Sequence, residues 1–309
     1  MKRRVTQALL LATLVLVTTG ILCWPTVLKY IIQSNLQNAR KEGNSLSWSG
    51  LSAGMASATL ESFTVWIPGP RVKGTFNLPI SLELQNVAVA LRPTSLLSLS
   101  PAATYSTALY GGTLQGKVQS CGDVVHLDAR VENVEIGSHP QLASLGVRGG
   151  TVTGTFQEFE VTPLGPRSGA FSFTLRALRP PTLDVAKSLL RVEEFGAIDL
   201  TSSGTISPEA VDVRDIKLSS IFGEASGKLT ATNHLSPTPK FSGRFNVSLS
   251  EKGVTTFGAW LPFIPGAGLD ASSTKFSVTV TSTPCSNLSG NSTILNLGTG
   301  CVKLVFAKN

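Results

Sequence analysis

The feature that most constrains this chain is a two-residue alternation of apolar and polar side chains in short runs. Such runs cover 76–89, 124–136, 171–175, 210–218, 245–249 and 276–280, with Gly, Pro and Ser between them. Successive strand residues point to opposite faces, so each run predicts a strand with one apolar and one wet face. The 309 residues include 29 Gly and 17 Pro and are 42% hydrophobic but only 15% charged. That balance excludes a largely disordered chain. The scarcity of Glu, Lys, Leu and Ala at helical spacing excludes a coiled coil or long bundle. The expected fold is mostly β: an N-terminal transmembrane helix, then an extended antiparallel sheet with few short helices.

A punctuation recurs along the strands. Gly111-Gly112-Thr113-Leu114-Gln115-Gly116 returns as Gly149-Gly150-Thr151-Val152-Thr153-Gly154, with shorter echoes at Ser168-Gly169, Ser203-Gly204, Ser226-Gly227 and Ser242-Gly243. These glycines are expected to turn the backbone at positive φ before each strand resumes. Their recurrence suggests a sheet extended by adding similar units. Three helical interruptions are expected: a turn over 92–99, a helix from Pro181 to Gly196 with Ala186, Leu189 and Leu190 as its stripe, and an apolar turn from Phe257 to Ile264.

The amino terminus predicts a location. After Lys2-Arg3-Arg4, Val5 to Trp24 carry no charge, and about 20 such residues cross a hydrocarbon core of roughly 30 Å. The basic flank should stay cytoplasmic, with the rest beyond the membrane and Trp24 and Tyr30 at the interface. With no Ala-x-Ala site, the stretch reads as a retained anchor rather than a cleaved signal peptide. The expected organisation is 1–24 basic start and anchor, 25–42 juxtamembrane helix, and 43–309 β-rich domain. Leu28, Ile31, Ile32 and Leu36 share one face of that helix, which serves either as a stalk or as the first helix packed on the domain. Three of the +7 formal charges lie at Lys2, Arg3 and Arg4 and the others are scattered, so no nucleic-acid partner is expected. Export would place Cys121, Cys285 and Cys301 in an oxidising space. Cys285 and Cys301 bracket a Ser-, Asn- and Gly-rich stretch and form the candidate disulfide, leaving Cys121 free or paired elsewhere.

No chemistry is assigned. Gly50-Leu51-Ser52-Ala53-Gly54 fits the Gly-x-Ser-x-Gly pattern, but Ser52 lacks the strand-to-helix elbow that makes such a serine nucleophilic. The Gly-Gly-Thr units are followed by strand residues, whereas a phosphate cradle needs a helix N-terminus there. His126, His139 and His234 are too far apart for a metal-ligand pair, and no Cys-x-x-Cys or dense acidic loop exists. Asp123/Asp128 and Glu158/Glu160 read as solvated strand residues. Catalytic, cofactor-binding and metal residues are therefore none, and a non-enzyme is expected.

The order of several segments carries a resemblance. "LELQNVAVALRPTSLLSL" (Leu82–Leu99), "ALYGGTLQGKV" (Ala108–Val118), "VRGGTVTGTF" (Val147–Phe156), "SGAFSFTLRAL" (Ser168–Leu178) and "AVDVRDIKLSSIFGEASGKLTAT" (Ala210–Thr232) follow a one-span anchor. This order, over residues 75–265, resembles the type II secretion system protein N family, and its units recur in the related AsmA-like envelope proteins. The first resemblance implies a single-pass protein of the bacterial inner membrane with a periplasmic domain. It would be an accessory subunit of type II secretion, acting through contacts with other secretion-system subunits. The AsmA-like similarity implies that the extended antiparallel sheet is curved, and it implies the alternative function, binding or transfer of phospholipid along an apolar β-sheet groove. No catalytic residue belongs to either pattern. Val87, Val89, Leu114, Val118, Phe171, Phe173, Val211, Val213, Phe245 and Val247 are candidates for the apolar face. Alternation alone leaves open whether that face is a closed core or an open groove.

Overall fold

The alternating runs form strands, and nearly all of them join one sheet. The computed structural model describes residues 23–41, 45–67, 80–92, 100–144, 146–162, 165–180, 183–185, 190–192, 196–233, 240–264, 268–283, 293–296 and 301–308. The strands are β1 (Leu46–Ser49), β2 (Ser52–Ala53), β3 (Ser57–Ile67), β4 (Ile80–Leu91), β5 (Ala102–Leu109), β6 (Gly112–Cys121), β7 (Val124–Glu135), β8 (Arg148–Thr162) and β9 (Gly165–Arg179). They continue as β10 (Leu183–Val185), β11 (Leu190–Val192), β12 (Ile198–Ile206), β13 (Ala210–Ser220), β14 (Gly223–Thr232), β15 (Lys240–Leu249), β16 (Lys275–Thr283), β17 (Thr293–Asn296) and β18 (Cys301–Lys308). Sixteen of them make one open sheet, ordered β1-β3-β4-β5-β6-β7-β8-β9-β12-β13-β14-β15-β16-β18-β17, with β2 beside β3. Neighbours pair antiparallel, and the order follows the chain except where β18 lies between β16 and β17. At about 4.8 Å per strand the path is roughly 67 Å long.

One face is apolar from end to end. The register sets Ala58, Val89, Tyr105, Gly116, Ala129, Phe156 and Phe171 in one transverse row across β3 to β9. The row continues through Gly204, Val213, Leu229, Gly243, Val280 and Leu304 to β18. No charged residue interrupts it. A second row on the same face holds Val134, Val152, Leu175, Leu200, Leu218, Ala225, Val247 and Phe276. The flanking residues, such as Lys117, Asp128, Arg130, Arg214 and Arg244, take the other face. Among the described residues no large side chain is less than 2% exposed, as expected of an open sheet rather than a closed sandwich.

Five bulges keep the rows in phase. Asn86, Asn133, Glu158, Ala177 and Asp215 adopt positive φ inside β4, β7, β8, β9 and β13, each at a shift in register. An extra residue at each point bends the strand and returns the next apolar side chain to the same face. A bulge also frees a backbone N–H, which must find another acceptor. The neighbouring strand supplies it at three of them: Thr153 Oγ1 for Asn133 (3.3 Å), Asp128 Oδ1 for Glu158 (2.9 Å) and Asp199 Oδ1 for Ala177 (2.7 Å).

The recurring glycines correct the expectation placed on them. Only at Leu109–Gly112 does the first motif turn the chain, where Tyr110 and Gly111 both take positive φ in a two-residue hairpin, the geometry of a type I′ turn. Gly149 and Gly150 also have positive φ, but inside β8. Gly116, Gly154, Gly204, Gly227 and Gly243 lie mid-strand and are not among the positive-φ residues. Small size is what these positions require. A methyl on Gly116 would meet the Tyr105 ring 2.8 Å away, one on Gly204 the Phe171 ring at 2.5 Å, and one on Gly227 the Phe245 ring at 2.6 Å. Each aromatic lies flat over a glycine of the adjacent strand, the cross-strand rescue that fills the missing side chain.

Helical segments are few. The expected helix from Pro181 to Gly196 is instead, in its described part, the hairpin β10–β11, with Asp184 opposite Arg191. Leu183-Asp184-Val185 and Leu190-Arg191-Val192 each alternate with period two, and that pattern prevailed over the short stripe. Residues 93–99, which hold most of the expected turn, lie outside the described residues. Phe257 to Ile264 does form an apolar turn, as the helix Glu251–Phe257 followed by a 3-10 turn over Gly258–Phe263 that contains Pro262. Residues 23–41 are helical. Leu28 is buried and Ile32 and Leu36 are half-buried, while Ile31 points away and is exposed. No helix among the described residues is long and apolar enough to cross a membrane, and residues 1–22 of the expected anchor lie outside them.

Candidate functional site: an apolar trough across six strands

One hollow crosses the strands that carry the apolar row. It has a volume of about 880 Å³ and is lined over β3–β8 by Ala58, Val89, Tyr105, Gly116, Ala129 and Phe156 and by their polar neighbours in the strands, among them Gln115, Lys117, Asp128 and Arg130. A volume of that size falls in the range of small-molecule sites, about 300–1,000 Å³. Ala58, Gly116 and Ala129 are the smallest residues of this stretch of the row, and the Tyr105 ring covers Gly116. Aromatics bound it on the β8–β9 side: Phe156 meets Phe159 edge-on at 5.9 Å, and Phe171 stacks on Phe173 at 6.3 Å. Phe156 remains 38% exposed, and none of the lining residues comes from a helix.

Tyr105 is the polar group within the row. Its hydroxyl donates to the Asp128 carbonyl at 3.3 Å, so the ring is pinned across β6 while its face covers Gly116. Burial raises the Tyr105 pKa, and the Asp128 carboxylate adds to the shift. The phenol therefore stays neutral at physiological pH, which suits an apolar surface. Asp128 is more than a solvated strand residue, because its Oδ1 holds the Glu158 bulge. Glu160 in turn lies 3.9 Å from His126 Nδ1.

The far end of the same face is covered. Leu261 and Leu269, from the connection between β15 and β16, cluster with Phe276 against Val247, Leu249, Val278 and Phe306. Ser250 caps the helix there, accepting from the Gly253 N–H (3.1 Å) and donating to the Ile221 carbonyl (2.7 Å). Asp270, in the same connection, pairs with Lys308 at the end of β18 at 2.8 Å. A second, smaller hollow of about 580 Å³ crosses β12–β16 and mixes Leu218 and Val247 with Lys217, Glu224 and Lys275.

The other singled-out residues do not converge. Ser52 lies in a two-residue strand paired with Thr59, not on a strand-to-helix elbow. His126 is in β7, while buried His139 is tied to the Ser81 carbonyl through Nε2 (2.9 Å) and accepts the Gln141 N–H at Nδ1 (3.2 Å). No three His, Cys, Asp or Glu side chains among the described residues are grouped to hold a metal ion. Cys121 is free and exposed. The candidate Cys285–Cys301 pair lies outside the description: Cys285 wholly, Cys301 in its side chain.

The sequence reading missed the bulges, although the signal was there. In "LELQNVAV" (82–89) the apolar positions move from even to odd numbers across Asn86, and Asn133, Glu158, Ala177 and Asp215 mark the same change of phase. Comparison of the chain with known protein families, with curated proteins and with solved structures finds no match.

Proposed function

We propose that this chain is a membrane-anchored, non-catalytic envelope protein that holds hydrocarbon, the acyl chains of phospholipid, along the apolar face of its sheet. The observation that supports this reading is the uncharged row from Ala58 to Leu304, which over β3–β8 borders a hollow of about 880 Å³. An apolar sheet face needs cover from protein or lipid, and a flexible chain fits a shallow trough. In this reading Val5 to Trp24 anchor the protein in the bacterial inner membrane, with the N-terminus cytoplasmic and the bulk periplasmic. The resemblance to AsmA-like proteins points the same way.

The test is extraction and mass spectrometry of lipid carried by the full chain after purification, with Phe156→Glu as the comparison. Phospholipid should accompany the parent chain, and the charge at an exposed row position should lower it several-fold while leaving the melting temperature nearly unchanged. A parent chain free of lipid overturns the reading.

A second reading is favoured by a different observation: among the described residues no further strand pairs beyond β1 or β17 at the two ends of the sheet order. An unpaired edge can take a strand from another protein, as an accessory subunit of type II secretion would. Deleting the gene should then trap secreted enzymes in the periplasm of a tight envelope. Normal export from an envelope that leaks to detergent would leave only the lipid reading.

A further inference from the structure

The helix of residues 23–41 has two apolar sides, and only one of them is used by the fold. Leu28, Ile32 and Leu36, at i, i+4 and i+8, form the packed stripe. Trp24, Val27 and Ile31, at i, i+3 and i+7, form another, with Tyr30 beside them, and all four are exposed. The second stripe ends after two turns, about 12 Å, where Ser34, Asn38 and Lys41 occupy the same side. An apolar patch that gives way to polar residues after two turns suits a helix leaving a bilayer, where apolar surface ends at the headgroups.

A separate part of the chain completes the patch. Trp24 Nε1–H donates to the Met55 carbonyl at 2.8 Å, and Met55, in the turn between β2 and β3, is itself 52% exposed. The lining of the trough starts at Ser57 and Ala58, only two and three residues further on. The chain on the other side of Trp24 is the uncharged stretch from Val5. Thus one exposed apolar patch touches both the expected anchor and the first strand of the trough.

We propose that the bilayer surface docks against Trp24, Val27, Tyr30, Ile31 and Met55, and so sets the mouth of the trough at the level of the lipid headgroups. The bilayer is the occupant because apolar bulk, an aromatic fringe and a polar limit follow one another along a single helix that continues an uncharged stretch. The inference rests on the anchor and acyl-chain readings. It adds a direction to them, since lipid would enter beside the start of β3 and not beside the other end of that strand, where Trp66 lies.

The experiment places the photoreactive amino acid p-benzoylphenylalanine at Tyr30, at Met55 or at Trp66 of the full chain, reconstituted in phosphatidylethanolamine–phosphatidylglycerol vesicles. Lipid adducts are read as mass shifts after illumination. Adducts at Tyr30 and Met55 should exceed those at Trp66 several-fold. The double substitution Val27→Ser, Ile31→Ser should lower the Met55 adduct several-fold, whereas an adduct from lipid lying in the trough would persist. Equal adducts at Met55 and Trp66, cross-links to protein instead of lipid, or a chain that does not float with the vesicles each overturn docking. Lipid carried by the purified chain is a separate readout: lipid without a Met55 adduct removes docking alone, and a Met55 adduct without carried lipid removes the acyl-chain reading alone.

Discussion

The two ends of the apolar face share a pleat, an alternation and a continuous row, yet they meet different surroundings. Over β15, β16 and β18 the face is roofed by Leu261 and Leu269. Over β3–β8 it borders an open hollow in which Phe156 keeps more than a third of its surface. The strands do not cause the difference, because both stretches present the same kind of residue to the same side. The connections do. Between β15 and β16 the chain has room for a capped helix and a 3-10 turn, whereas β5–β6 and β6–β7 are joined by Tyr110-Gly111 and Gly122-Asp123. Two-residue turns cannot fold back over a sheet. The longer excursion after β7 is held at the strand ends, where His139 and Gln141 reach Ser81. The cover over β15 and β16 is thus supplied by a long apolar connection, and the tight hairpins of β5–β7 supply none.

The sharpest way to break this comparison is truncation at the roof. Leu261 is only 4% exposed, so Leu261→Ala should cost about 2–5 kcal/mol in denaturant unfolding. Phe156→Ala removes a larger side chain from the open stretch, and its cost should stay below about 1 kcal/mol. Equal losses would mean that the trough is packed as well as the roof. Between these lie the mid-strand glycines. A side chain at Gly204 meets the Asp212 carbonyl and the Phe171 ring, and Gly204→Val should cost about 1–3 kcal/mol through overpacking. A further step down, Asp128→Ala leaves the Glu158 bulge without its acceptor, at about 1 kcal/mol. Asp128→Asn keeps an oxygen there and should recover most of that loss.

The smallest effect concerns acid. Hydrogen bonds from Lys308 first, then from Ser272 and Ser273, hold the Asp270 carboxyl well below the usual carboxylate range. A carboxyl whose folded pKa is depressed adds stability above its unfolded value and loses it as the pH falls through the folded one. The tie between the roof and β18 should therefore persist through the ordinary carboxylate range, near 3.9, and release only below it. In Lys308→Met the Asp270 titration, followed by carboxyl carbon shifts, should move up toward that range. An unmoved titration would show that the serines alone hold the group.

Much of the sheet was legible because alternation is a direct projection of the pleat. The runs at 124–136, 210–218 and 276–280 became β7, β13 and β16 almost residue for residue. The glycines were legible as positions but not as causes, since sequence cannot show the ring of Phe171 lying over Gly204. The helix expected after Pro181 failed because a three-residue stripe is weaker evidence than two short alternations facing each other. Whether the face is open or closed depended on what the connections do in space, which no period records. The trough was readable only in part: Val89 belonged to the expected face, while Gly116 and Ala129, which also line it, carry no apolar signal of their own.

The order of the strands has a consequence for how the molecule comes into being. From β3 to β16 every strand of the sheet is hydrogen-bonded to a strand that precedes it in the chain. Contacts between near neighbours close short loops, and short loops close quickly. As the ribosome delivers the chain amino end first, each new strand finds its partner already in place, so assembly can keep pace with synthesis. The exception is the last hairpin. Because β18 and not β17 pairs with β16, β17 must wait for β18 before it can join the sheet.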